Sequence, residues 1–152
     1  MIDTRRILLV EDSPNDVELT LAALSRHNLA NEVVVVSDGE QALDYLHRRR
    51  AFKLRAEGNP VVVLLDIKLP KVDGLEVLQN MRTDPELRTT PVVMLTSSRE
   101  EQDIVRSYGL GVNAYVVKPV DFQNFVSAIA ELGLFWAVLN QPPLPADRNS
   151  RP

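Results

Sequence analysis

Five side chains with complementary chemistry each follow a short apolar run of the sequence. Glu11 and Asp12 follow the first run, Asp66 the third, Thr96 the fourth and Lys118 the fifth. If the runs are parallel strands, their carboxyl ends meet along one edge of a sheet, where open α/β sheets bind ligands. Two charges about 4 Å apart repel by roughly 4 kcal/mol at an effective dielectric near 20, so three carboxylates need protons or a cation. Oxygen ligands without Cys or a nearby His suit Mg²⁺, which also accepts phosphate oxygens, so the pattern indicates metal and phosphoryl chemistry together.

The apolar runs are rich in Val, Ile and Leu, and each predicts a short strand buried on both faces of a sheet. They are Ile7–Val10, Val33–Val36, Val61–Leu65, Val92–Leu95 and Ala114–Val117. Segments with helical spacing follow each run and begin near Ser13, Gly39, Gly74, Arg99 and Asp121. We expect the last helix to continue to Leu139. This alternation favours an α/β fold with helices on both faces of a parallel sheet, because right-handed crossovers dominate between parallel strands.

Composition excludes several classes of protein. A net charge of −4 argues against a protein that neutralises nucleic-acid phosphates, and we expect the basic run Arg48–Arg50 to be a solvated helix end. No apolar run approaches the roughly 20 residues that cross a bilayer, and a chain without Cys forms neither disulfides nor thiolate metal sites. We therefore expect a cytoplasmic protein that contacts neither nucleic acid nor membrane.

The chain length of 152 residues is that of one ordinary domain. We assign residues 1–139 to this domain, including the long last helix. Several prolines follow, and the segment Asn140–Pro145 cannot continue a helix. The sequence therefore predicts a disordered, Pro-rich tail at residues 140–152.

Four segments together resemble the receiver domain of two-component response regulators. They are ILLVED at 7–12, LLDIKLPKVDG at 64–74, MLTS at 94–97 and YVVKP at 115–119. The resemblance extends over roughly residues 5 to 132, and the combined pattern is far more specific than any one motif. It implies a flavodoxin-like, doubly wound sheet of five parallel strands in the order 2-1-3-4-5, with five helices.

The resemblance also assigns roles to the acidic residues. It implies that Asp66 accepts the phosphoryl group, and that Mg²⁺ binds Asp12, Asp66 and the backbone carbonyl of Lys68. Glu11 is implied to support the metal through water, and Lys118 to contact the phosphoryl oxygens. These roles agree with phosphoryl transfer in general, where the protein contributes mainly positioning and electrostatic stabilisation.

Further residues are implied to control the switch. In the receiver family the Thr96 hydroxyl moves onto the phosphoryl group, and the rotamer of an aromatic residue, here Tyr115, follows it. The peptide bond Lys118–Pro119 is expected to be cis. Lys68 and Ser98 occupy positions that flank the path of hydrolytic water, so they are candidates for tuning the phosphoryl lifetime.

A narrower resemblance concerns the partner. The segments Pro14–Asp16, Thr96–Ser98 and Phe135–Leu139, followed by Pro142–Pro143, are similar to the small regulators that pair with bacterial phytochrome histidine kinases. The implied partner is a sensor histidine kinase, with a phytochrome-type kinase as the narrower assignment.

The end of the chain also suggests self-association. Its apolar residues are more numerous than one short helix needs to cover a sheet, so we expect a homodimer built partly from Phe122, Phe125, Phe135 and Trp136. The alternative is that the two later aromatic residues fold back onto their own domain.

Other functions remain possible at this level. A phosphatase of the haloacid-dehalogenase type also uses an Asp nucleophile, but that class has a second Asp where this chain has Lys68. A flavodoxin-like electron carrier should have a hydroxyl-rich loop in place of Glu11–Asp12. A pseudo-receiver would normally have lost one key residue, and all are present here. A non-enzymatic signalling protein is the favoured interpretation, with an intermediate carrier in a phosphorelay as its variant.

Overall fold

A computed structural model describes residues 6–25, 32–55 and 58–134 of the chain. The strands are β1 Arg6–Val10, β2 Glu32–Val36, β3 Val62–Asp66, β4 Val92–Thr96 and β5 Ala114–Val117. The helices are α1 Pro14–Ser25, α2 Gly39–Leu46, α3 Gly74–Thr83, α4 Arg99–Ser107 and α5 Phe122–Glu131, with a short 3₁₀ turn at Arg50–Phe52. None of the helices in these ranges is long and apolar enough to span a membrane.

The five strands form one sheet in the order β2-β1-β3-β4-β5, and every neighbouring pair is parallel. This confirms the predicted fold class, strand order and number of helices. The prediction that every strand is buried on both faces is wrong for the two edge strands. In β2 the side chains of Glu32 and Val35 are exposed, and in β5 two of four residues are only half-buried. Each edge strand has one neighbour, so the layers that cover the sheet thin out over it.

Two apolar layers enclose the sheet. On one face α1 and α5 pack through residues such as Leu24, Phe125 and Ile129, which are at most 1% exposed. On the other face α2, α3 and α4 contribute a second cluster that includes Leu78 and Met81. Because both faces are covered, the central strands β3 and β4 are buried along their whole length, and in β1 only the first residue, Arg6, is partly exposed.

Side-chain caps determine where the helices begin. The oxygens of Asp38, Asp73, Ser98 and Asp121 each accept a hydrogen bond from the backbone N–H three residues later, at 2.7 to 3.1 Å. Ser13 does the same at 3.2 Å at the start of α1, which begins where the sequence predicts a helix. Such caps satisfy backbone donors that have no partner within the helix.

The last helix is shorter than expected. Gly133 has φ +70°, and the N–H of Leu134 donates to the carbonyl of Ile129 at 3.0 Å, which closes the helix end. This is a Schellman-type ending, and Gly tolerates the left-handed conformation that it needs. The prediction of a continuous helix to Leu139 is therefore wrong. The proposed tail, residues 140–152, lies outside the described residues.

Gly74 allows α3 to begin directly against the end of β3. Its N–H donates to the carbonyl of Ile67 at 2.7 Å, and a Cβ at this position would overlap the carbonyl oxygen of Asp66. Only Gly permits this approach, so the conformation at the end of β3 depends on a residue eight positions later.

We predict that Gly74→Ala lowers the free energy of unfolding by about 3 kcal/mol. The added Cβ would overlap backbone atoms of Asp66 and Ile67, which cannot move aside as a flexible side chain can. Urea denaturation measures this loss. Gly109→Ala is the comparison, since Gly109 has the opposite properties: its φ of +63° strains any other residue, but nothing lies within 4 Å of its missing Cβ. This variant should lose about 1–2 kcal/mol from backbone strain alone. Equal losses in the two variants would contradict the close-approach explanation.

Candidate functional site

Three carboxylates meet at the carboxyl ends of β1 and β3. Glu11 and Asp12 follow β1 directly and Asp66 ends β3, and one oxygen from each lies within 4.8 Å of the others. Glu11 and Asp66 are buried, with exposures of 1% and 6%, whereas Asp12 is exposed. The topology thus brings together the acidic residues that the sequence singled out.

Lys118 lies at the centre of the cluster. Its ammonium nitrogen is 3.2 Å from Glu11 Oε1, from Asp16 Oδ2 and from Asp66 Oδ2, and it donates to all three carboxylates. The residue follows β5, and its backbone N–H donates to the Thr96 carbonyl at 2.7 Å. The Lys118–Pro119 bond is cis, as expected.

Both oxygens of the Asp66 carboxylate are held. Oδ1 accepts a hydrogen bond from the backbone N–H of Ile67 at 2.8 Å, and Oδ2 accepts one from Lys118 at 3.2 Å. A short side chain held at two points in a largely buried position keeps one orientation. This is the property that a nucleophile needs.

The cluster shifts the pKa values of two of its groups in the metal-free protein. Burial, with the neighbouring Asp66 carboxylate, raises the pKa of Glu11 from 4.5 to about 9, so the metal-free protein holds a proton there at neutral pH. Burial alone would lower the pKa of Lys118, but the carboxylates of Asp66 and Glu11 outweigh that effect and raise it. Lys118 therefore remains a cation throughout the physiological range.

A buried hydroxyl stands at the end of the adjacent strand. Thr96 is 0% exposed, and its Oγ1 has no hydrogen-bond partner among residues 6–25, 32–55 and 58–134. A buried polar atom without a partner costs about 1–3 kcal/mol. Val117 of β5 pairs with Thr96, and Tyr115 lies two residues earlier on the same face of the sheet. The Tyr115 ring is half-buried and lies under the Arg106 guanidinium, 4.9 Å from its centroid.

The two positions expected to influence phosphoryl lifetime lie at the rim. Lys68 is exposed, and its ammonium is 3.9 Å from a carboxylate oxygen of Glu101 on α4. Ser98 caps α4, where its hydroxyl accepts the N–H of Glu101 at 3.1 Å. Glu101 in turn accepts the N–H of Ser97 at 2.7 Å. Glu101 thus connects the loops after β3 and β4, which sequence reasoning did not anticipate.

Asp16 is a second residue that sequence reasoning missed. It was named only as part of the segment Pro14–Asp16, without a role in the acidic cluster. A usable signal existed, because a carboxylate in the first turn after β1 must lie near the same edge of the sheet. Its distance from Lys118 depends on the direction of α1, which residue spacing alone does not determine.

The predicted association residues divide into three groups. Phe125 is 1% exposed and packs in the core of its own domain, so the expectation that it contacts a second subunit is wrong for this conformation. Phe122 is half-buried against the same core. Phe135 and Trp136 lie outside the described residues.

The donor set fits a divalent cation. Glu11, Asp12 and Asp66 offer only carboxylate oxygens, and one ammonium cannot balance three carboxylates. Hard cations with oxygen ligands, such as Mg²⁺ and Mn²⁺, suit such a set.

Comparison with known proteins gives one family. The model of the response regulator receiver domain matches residues 7–130. Among solved structures, the bacteriophytochrome response regulator RtBRR is 64% identical with a TM-score of 0.85, and the match covers 99% of this chain and 89% of that one. The bacteriophytochrome response regulator AtBRR is also 64% identical, with a TM-score of 0.86 and coverage of 91% and 99%.

A more distant relative is the response regulator Rcp1 of Synechocystis sp. It is 36% identical over 130 residues, which cover 86% of this chain and 87% of Rcp1. The Mn²⁺-bound structure of Rcp1 superposes with a TM-score of 0.70 at 35% identity, and covers 93% of this chain and 99% of that one.

We predict that the metal-free protein loses stability as pH rises from 5 to 8. The folded pKa of Glu11 is raised, so the folded state holds a proton that the unfolded state releases near pH 4.5. The loss is at most about 1.4 kcal/mol per pH unit. Urea denaturation in the presence of a chelator measures it.

Glu11→Gln should flatten this dependence, because glutamine does not titrate. Glu18→Gln is the control, since Glu18 is an exposed acid on α1, and it should follow the wild type. Parallel curves for Glu11→Gln and the wild type would contradict the assignment of the proton to Glu11.

Proposed function

The chain belongs to the response regulator receiver family, and on that basis we propose that it is a single-domain response regulator that accepts a phosphoryl group on Asp66 from a sensor histidine kinase. One observation carries the assignment of Asp66. Its carboxylate is held at both oxygens, between a backbone N–H and the Lys118 ammonium, beside two further carboxylates.

The chemistry is an in-line transfer. An Asp66 oxygen attacks the phosphorus of a phosphohistidine, the new O–P bond forms, and the P–N bond breaks with its electron pair going to the imidazole nitrogen. Lys118 is charged and sits 3.2 Å from the nucleophile's Oδ2, so it is placed to neutralise charge on the transferred oxygens. The product is an acyl phosphate that can hydrolyse, which suits a reversible signal.

We assign the divalent cation as Mg²⁺. The Asp12 and Asp66 carboxylates and the Lys68 carbonyl would hold it, with Glu11 supporting it through water. When bound, the metal would neutralise negative charge on the phosphoryl oxygens and the surrounding carboxylates. The acidic cluster supports a divalent metal, and the Rcp1 structure contains Mn²⁺, so the choice of Mg²⁺ belongs to this proposal.

Thr96 and Tyr115 form the proposed switch. A phosphoryl oxygen would provide the acceptor that the buried Thr96 hydroxyl lacks among the described residues. Movement of that hydroxyl would change the space beside Tyr115. This residue lies on the neighbouring strand β5, two residues before the partner of Thr96 and on the same face of the sheet. Lys68 and Ser98 remain candidates for tuning the phosphoryl lifetime, through the loops that they anchor.

The proposed kinase partner is a bacterial phytochrome. Two response regulators named for bacteriophytochromes share 64% of their residues with this chain, a much closer similarity than membership of the receiver family requires. A cytoplasmic location follows from this partnership and is part of the same proposal. An intermediate role in a phosphorelay would use the same chemistry on Asp66.

We predict that Asp66→Asn abolishes stable phosphoryl incorporation from acetyl phosphate or from a phosphorylated kinase, because the nucleophilic oxygen is replaced by an amide. Phosphate-affinity electrophoresis measures the incorporation, and circular dichroism confirms that the variant is folded. Asp44→Asn is a control at a second buried carboxylate, which pairs with Arg49 and Arg50 and lies on α2 outside the cluster. Labelling that persists in Asp66→Asn would overturn the assignment.

The same assay examines the metal. Incorporation into the wild type should stop when a chelator is added and return with Mg²⁺, and Asp12→Ala should need a much higher Mg²⁺ concentration. An unchanged rate in the presence of chelator would exclude the metal's role.

We also propose a homodimer through the edge formed by α4, β5 and α5. Ile104 of α4 and Tyr108, which caps the end of α4, are 58% and 60% exposed, which is unusual for large apolar and aromatic residues four positions apart. Ile104→Asp should convert a dimer to a monomer in sedimentation equilibrium, with or without phosphorylation. Leu54→Asp is the control, because Leu54 is 90% exposed elsewhere on the surface. A wild-type monomer under every condition would refute the dimer.

A further inference from the structure

Lys118 makes a contact that the chemistry assigned so far does not use. Asp16 Oδ2 lies 3.2 Å from the ammonium nitrogen, as close as the oxygens of Glu11 and Asp66. We propose that Asp16 is a positioning residue that holds Lys118 in the unphosphorylated protein and competes with the phosphoryl group for its ammonium. The inference rests on the proposed function and adds a residue to it.

The competition follows from the number of donors. A lysine ammonium has three N–H groups. The Lys118 nitrogen lies within 3.4 Å of four oxygens from three carboxylates, so every N–H group already has an acceptor. The phosphoryl oxygens, which are carried by Asp66 after transfer, therefore compete with Glu11 and Asp16 for the same N–H groups.

Asp16 is the acceptor that is released at the lowest cost. The Asp66 carboxylate itself carries the phosphoryl group, and the Glu11 side chain is 1% exposed, so Glu11 cannot exchange Lys118 for water. The Asp16 side chain is 35% exposed and can be hydrated after it leaves. Its charge also repels an incoming dianion, so both effects weaken phosphoryl binding in the wild type.

The contact can be removed without breaking the capping bond of the helix. The capping bond at the start of α1 joins the backbone N–H of Asp16 to the Ser13 hydroxyl at 3.2 Å, and it does not involve the Asp16 side chain. Asp16→Asn keeps the shape and removes the charge, whereas Asp16→Ala removes the acceptor as well. A merely structural role would change the free energy of unfolding but not the affinity for a phosphoryl mimic.

The test uses beryllofluoride, a phosphoryl mimic, titrated by calorimetry into full-length protein at saturating Mg²⁺. Saturation matters because the loss of a negative charge also changes the metal affinity. We expect Asp16→Asn and Asp16→Ala to bind beryllofluoride about three- to tenfold more tightly than the wild type. The effect is modest because Asp16 is partly exposed and solvent screens its charge. Glu18→Gln removes the same charge from an exposed position on α1, and its affinity should stay within about twofold of the wild type.

A second measurement is independent of phosphoryl binding. In the metal-free wild type, the ¹⁵N resonance of the Lys118 ammonium should be observable because its protons exchange slowly, and Asp16→Ala should shift it or broaden it. Glu18→Gln should leave it unchanged. An ammonium resonance that does not respond to Asp16→Ala would show that the contact is absent and would overturn the proposal.

The outcomes separate this inference from the function on which it rests. If the wild type fails to bind beryllofluoride, the phosphoacceptor function itself fails, and the inference fails with it. If the wild type binds it and both Asp16 variants bind equally or more weakly, only the competition is overturned. Equally tighter binding of beryllofluoride by Glu18→Gln would show that the effect comes from the net charge of the protein, and this result would also overturn the competition.

Discussion

The site depends on the Lys118 ammonium, which holds three carboxylates together where little solvent reaches them. Lys118 contacts Glu11, Asp16 and Asp66 at the same distance of 3.2 Å. Burying a carboxylate without a partner is costly, so Glu11 and Asp66 can be buried because the cation lies between them. The balance is incomplete, since Glu11 keeps a proton in the metal-free state. A divalent cation would complete it, which links metal binding to the charge state of the cluster.

The backbone makes this concentration of charge possible. Parallel strands direct their carboxyl ends to one edge, so acidic residues far apart in sequence become neighbours without any long loop. Gly74 brings the first turn of α3 against the Asp66 carbonyl, and the Ile67 N–H is left to bind the Asp66 side chain. The orientation of the acidic residue is therefore determined by local backbone geometry as much as by Lys118.

The features that sequence analysis predicted are those that topology determines. Glu11, Asp12 and Asp66 follow apolar runs directly. The carboxyl ends of parallel strands all lie at the same edge of the sheet, so the position of these residues follows from the topology. Features that depend on exact geometry were missed. The side chain of Asp16 reaches Lys118 only because α1 leaves the sheet at a particular angle. The early end of α5 had a visible signal in Gly133, but the apolar spacing continues past it and favoured a longer helix.

The hydrogen-bond donors of the cluster are unevenly supplied with acceptors, and this arrangement suits a switch. The Lys118 ammonium has more acceptor oxygens nearby than it has N–H groups, while the Thr96 hydroxyl has no partner in the part of the chain that the structure describes. A phosphoryl group carries several acceptor oxygens, so its arrival could satisfy Thr96 and draw Lys118 away from a carboxylate in the same event. Because Thr96 ends β4 beside β5, such a change would act on the half-buried Tyr115 ring and on Arg106, which lies over it. The proposed switch would thereby connect chemistry at the strand ends to the surface of α4 and β5, where Arg106 already lies over the Tyr115 ring.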